Sequence, residues 1–119
     1  EGILDIHQQE GMLDTGDIIA YIYDKRATYK KIMTKISKIA KLARNDNTFT
    51  FDRGRKILYR IDKDGFIVLH DGTLTDLFYR LGAKFVVAAE TNTRLPLETV
   101  SQVNLLWVKE LTRLIAIKR

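Results

Sequence analysis

Cysteine is absent from this 119-residue chain. That excludes disulfides and thiolate metal sites, and it makes a reducing, cytoplasmic setting the expectation. No apolar run approaches the roughly 20 residues needed to cross a bilayer, and no Arg-rich or apolar targeting segment opens the chain, so no membrane partner is expected. Several chemical signatures are missing as well. There is no phosphate-cradling glycine loop, no nucleophile elbow, no HExxH and no paired-cysteine motif. Internal repeats and low-complexity tracts are absent too.

What remains is the composition of a globular domain, 45% apolar and 29% charged. The length suits one domain with one core, so residues 1–119 are read as a single domain. The sequence opens on Glu1 and enters an apolar run at Ile3, so the chain is read as a fragment, a processed chain or one lacking its first part. The net charge of +5 permits an anionic partner without requiring one.

Hydrophobic periodicity divides the chain. Gly2 to His7 (GILDIH) reads as a short buried strand, followed by the polar cluster Gln8 to Gly11 and a turn over Asp14 to Asp17. Ile18 to Tyr23 is an apolar segment, a strand or irregular. From Arg26 to Arg44 the apolar residues Tyr29, Ile32, Ile36, Ile39, Ala40 and Ala43 recur at helical spacing. Lys30, Lys31, Lys35, Lys38 and Lys41 fill the opposite side, the pattern of a solvated face. Thr48 to Phe51 and Arg55 to Ile61 are strand-like, with Arg53 and Gly54 between them, and Asp62 to Gly65 is a turn. Phe66 to Leu69 is another short apolar run. Thr73, with Asp76 three residues on, resembles a capping box for a helix whose stripe is Leu74, Leu77, Phe78 and Leu81, ended by Gly82. Lys84 to Ala89 (KFVVAA) lacks alternation, as a strand buried on both faces does. After a loop from Thr91 to Pro96, a long helix runs from Leu97 to Ile117.

This order predicts an α/β domain with a mixed, largely parallel sheet covered by helices. In such sheets, ligand sites lie outside the carboxyl ends of the strands. Two residues stand there. His7 ends the first strand and can ligate metal as a neutral imidazole; a plain structural hydrogen bond is the alternative. Glu90 follows FVVAA, where an unpaired carboxylate is costly to bury. It suits a general base acting on water, or else a glutamate solvated past the strand or paired with Arg94. Turn chemistry explains Asp71, and His70 is read as exposed.

In this order the features resemble the C-terminal half of the zinc carboxypeptidase superfamily, including its aspartoacylase and succinylglutamate desuccinylase branch. GILDIHQQ looks like the strand that ends in the third zinc ligand, and GTLTDLFYRLGAKFVVAAE like the short helix and buried strand that end in the catalytic glutamate. The resemblance implies His7 as a Zn2+ ligand and Glu90 as the catalytic base. The HxxE motif carrying the other two ligands would lie upstream of Glu1, in an N-terminal half of the same domain. It further implies hydrolysis of an amide next to a carboxylate, with a peptide or an N-acyl amino acid as substrate, so a carboxypeptidase or a deacylase. This chain alone would be inactive. The competing reading is a basic, non-catalytic nucleic-acid-binding module, because GTLTDLFYRL is similar to part of the LytTR-type domain. Nucleic acid is not the expected partner, since no aromatics are interleaved with the lysines.

Overall fold

The computed structural model describes residues 2–9, 15–52, 54–68 and 74–118. The polar cluster and turn at residues 10–14, Arg53, and the segment 69–73 with His70, Asp71 and Thr73 lie outside the described residues.

Six strands and three helices are present among them: β1 (Gly2–Gln9), β2 (Ile18–Ile22), α1 (Arg26–Ile36), β3 (Asp46–Asp52), β4 (Arg55–Ile61), β5 (Phe66–Val68), α2 (Leu74–Arg80), β6 (Phe85–Asn92) and α3 (Leu97–Lys118). Four strands form one sheet in the order β1-β6-β2-β5. β1 runs parallel to β6, and β2 runs parallel to β5; the two pairs meet antiparallel where β2 joins β6. The sheet is thus mixed, with two parallel ladders and one antiparallel. β3 and β4 form a separate antiparallel hairpin, turning at Gly54 with φ +79°, a conformation only glycine takes without strain.

Two cores follow from the side-chain alternation of the strands. On one face Ile18, Ala20 and Ile22 of β2, with Phe85, Val87 and Ala89 of β6, pack in a cluster with Tyr29, Ile32, Met33 and Ile36 of α1 and Val103, Trp107 and Leu111 of α3. On the other face Ile19, Tyr21, Ala88 and Ile67 join Ile61 and Tyr59 of β4. Every residue of β6 is buried, as the unalternating run KFVVAA predicts for a strand covered on both sides. No described helix is long and apolar enough to cross a membrane.

Three sequence expectations are corrected. First, the helix that begins at Arg26 ends at Ile36 rather than at Arg44. The amides of Ser37, Lys38, Ile39 and Ala40 close a tight turn onto the carbonyls of Met33, Lys35 and Ile36. The chain then runs beside β2: the Asp17 N–H donates to the Lys41 carbonyl (2.8 Å) and the Ala43 N–H to the Ile18 carbonyl (3.0 Å). Leu42 and Ala43 consequently enter opposite cores, with a period of two where a helical one was expected. Lys38 and Lys41 therefore do not extend the basic helix face. Gly16 lets this segment approach, because a Cβ there would stand 2.4 Å from backbone atoms of Leu42 and Ala43.

Second, two residues of the stripe expected around α2 do not face the core, although Phe78 is half-buried. Leu77 and Leu81 are 50% and 73% exposed, while Thr75 and Asp76 are buried. Third, β1 and β6 each run two residues past His7 and Glu90. Gln8 pairs with Thr91 and Gln9 with Asn92, so polar residues continue a ladder whose bonds are made by the backbone alone.

Polar contacts pin the connections. The Asp62 carboxylate accepts the N–H groups of Asp64 (2.8 Å) and Phe66 (3.1 Å), and Arg26 at the start of α1 bonds both Asp62 and Asp64. Lys35 of α1 pairs with the largely buried Glu110 of α3. The hydrogen bond from Lys35 holds the Glu110 carboxyl below the ordinary carboxylate range. A carboxyl depressed in the folded state stabilises above its unfolded pKa, and that stability is lost as pH falls through the folded value. Glu110→Gln should therefore flatten the acid limb of the stability curve, leaving a smaller drop between pH 6 and pH 3 in urea melts. An unchanged drop would show that the pair contributes nothing.

Candidate functional site

The candidate site stands at the carboxyl ends of β1 and β6. Their parallel register makes His7 and Glu90 direct Cα partners, on neighbouring strands spaced by about 4.8 Å. Paired positions on adjacent strands belong to the same face of a sheet, so the two positions share a face with Asp5, two residues back along β1. Neither stands at the very end of its strand, as the sequence suggests; each lies two residues inside.

Glu90 is 8% exposed. Its antiparallel neighbour is Ile19 of β2, so the carboxylate sits on the face that carries Tyr21 and Ala88. Burial, then the charge of Glu90, then Tyr59 push the Tyr21 hydroxyl well above the ordinary phenol value. At neutral pH Tyr21 is thus a protonated donor beside a buried carboxylate. The Tyr59 ring meets Tyr21 edge to face, 6.1 Å between centroids, and walls this region from the hairpin side.

The end of β6 is fastened to the start of β2. Asn92 is fully buried; its side-chain amide donates to the Asp17 carboxylate (2.7 Å) and its backbone N–H to the Asp17 carbonyl (2.8 Å). Its own side-chain oxygen accepts the Arg94 N–H (2.9 Å). Two strands that meet antiparallel are thereby clamped two residues beyond Glu90. Below, α2 packs on β6 and β1 and buries Thr75 and Asp76, with Arg80 bonding Asp76 at 3.0 Å.

Sequence reasoning singled out His7 and Glu90 but missed Tyr21, Asp17 and Asn92. Tyr21 reads as one more apolar residue in IIAYIY, and the Asp17–Asn92 contact joins positions 75 residues apart, beyond the reach of any local pattern. The described residues include no group of three or more His, Cys, Asp or Glu that could hold a metal ion. By residue type the register pair sets one histidine and one carboxylate at paired backbone positions.

No family model matches the chain, and no curated protein sequence matches it. A solved structure does: one described as a "putative metallopeptidase" from Shewanella denitrificans OS217, with a TM-score of 0.66 and 19% identity, over 92% of this chain. This chain spans 38% of that one. The likeness is one of fold: the two share a mixed α/β architecture.

Proposed function

We propose that this chain is the part of a zinc-dependent amide hydrolase that contributes one metal ligand, His7, and the general base, Glu90. The observation that carries the reading is the register of β1 against β6, which makes these two the immediate neighbours at the carboxyl edge. The metallopeptidase-type fold supports it.

A three-ligand catalytic site needs donors beyond those described here; in this reading they come from an HxxE motif upstream. A zinc ion held by His7 and the upstream donors would supply Lewis-acid chemistry to a water and to the scissile carbonyl. The chain's own residues then have separate work. Glu90, nearly closed to solvent, accepts the proton of the attacking water and returns it to the leaving amine nitrogen. Tyr21, held protonated, keeps a hydrogen-bond donor beside that carboxylate. The Asp17–Asn92 clamp holds the strand that carries the base. The substrate class is an amide beside a carboxylate, in a peptide or an N-acyl amino acid.

The test is metal content and amide hydrolysis in protein that includes the upstream half. His7→Ala should lower zinc affinity by at least tenfold, the scale expected for removing a metal-ordering group, and hydrolysis should fall with it. Full zinc occupancy in that variant would exclude His7 as a ligand.

A further inference from the structure

We infer that the concavity beside the end of α1 is a binding site for a phosphorylated small molecule of about nucleotide size, with lining residues distinct from those of the candidate hydrolytic site. It measures about 540 Å3 and is lined by Lys38, Lys41 and Arg44 together with Thr15, Ser37 and an apolar wall that includes Leu42. Among the described residues, no acidic one lines it. The concavity between α1 and α3 also carries lysines, yet there Glu110 is among the lining residues and takes Lys35.

Three features distinguish the cluster from an ordinary solvated face. First, its three cations, without ion-pair partners among the described residues, line one concavity together, whereas Arg26, Lys30, Lys35, Arg80 and Arg113 have carboxylates within 4.0 Å and other exposed cations stand outside it. Asp46, the carboxylate bonded to Thr15, is already engaged by the Thr15 hydroxyl (2.9 Å) and the Asn47 N–H (2.7 Å).

Second, the backbone that carries the cations is ordered by hydrogen bonds. The turn from Ser37 to Ala40 is bonded back to α1, and Lys41 and Ala43 are bonded to Asp17 and Ile18 at the start of β2. The charges are therefore presented from a rigid frame, which lowers the entropic cost of gathering them around a ligand.

Third, the lysines are not needed to cap the helix. Cations do stabilise helix C-termini, but the carbonyls of Met33, Lys35 and Ile36 already accept amides from Ser37 to Ala40. Three like charges around one concavity repel each other, and a multiply charged anion would relieve that repulsion while bonding all three. The volume and the apolar wall favour a compact ligand over an extended polymer.

Inorganic triphosphate is the probe, titrated calorimetrically into the intact chain. One variant, K38E/K41E/R44E, reverses the cavity charges; its control, R55E/K84E/K109E, reverses three exposed charges elsewhere and matches it in net charge. Each cation lost should weaken triphosphate by roughly tenfold, the worth of a charge-assisted bond. Binding should thus vanish from the cavity variant and persist in the control. Amide NMR shifts on adding triphosphate to the unaltered chain should concentrate between residues 37 and 44, which keeps the test independent of how the variants fold. Equal weakening in both variants, or shifts scattered over the surface, would overturn the site. So would tighter binding of a single-stranded oligonucleotide that both variants lose alike, which would indicate a nucleic-acid surface.

Discussion

If the proposed function holds, Glu90→Gln in protein that includes the upstream half should leave zinc binding intact and slow amide hydrolysis by roughly 10²- to 10⁴-fold, the range that general-base catalysis contributes. The physical basis is narrow. Glutamine keeps the size and the strand conformation of glutamate, and at a buried position on β6 it disturbs the packing around Ala88 and Ile19 little. It cannot accept a proton. A base and a ligand are therefore separable: Glu90→Gln should lose turnover with metal retained, while His7→Ala should lose metal. The neighbouring phenol gives a second readout. The Glu90 charge is one of the causes that raise the Tyr21 hydroxyl, after burial itself. Neutralising it should move the Tyr21 titration back toward the ordinary phenol value, measured by absorbance at alkaline pH. Near-normal turnover in a Glu90→Gln protein whose parent hydrolyses amides would remove Glu90 from the role of base.

The largest loss of stability is expected at Trp107. Its side chain is fully buried in the cluster that joins α3 to β2, β6 and α1. Trp107→Ala should cost about 3–5 kcal/mol, through lost transfer energy and the cavity left behind. Domains of this size are held by about 5–15 kcal/mol, so the variant would fall near or below the threshold of folding at 37 °C. Urea melts monitored by far-UV circular dichroism measure the shift. Trp107→Phe, which keeps most of the apolar volume, should lose clearly less. Equal losses in the two variants would point to something other than the cavity. A loss under 1 kcal/mol from Trp107→Ala would show that α3 contributes little to the core.

Local pattern accounts for much of this fold. The unbroken apolar run before Glu90 marks a strand covered on both faces, and the hairpin over residues 46–61 follows from two strand-like segments around Gly54. The 22-residue α3 follows from a helical period sustained from Val100 to Ile115. Those features depend on neighbours a few residues apart, which a sequence displays directly. Other decisions were tertiary. Ala40 and Ala43 continue the helical spacing of α1, yet hydrogen bonds to Asp17 and Ile18 draw that segment alongside β2. Leu77 of α2 and Leu81 just past its end stay exposed, while Thr75 and Asp76 are buried instead. The candidate site divides along the same line. His7 and Glu90 stand out singly, as polar residues beside apolar runs, but only strand register makes them neighbours. The clamp of Asn92 on Asp17 and the concavity framed by Lys38, Lys41 and Arg44 likewise exist only once β2 lies between β6 and the segment that follows α1. Periodicity specifies which side of an element is apolar; the pairing of distant backbones specifies which elements meet there.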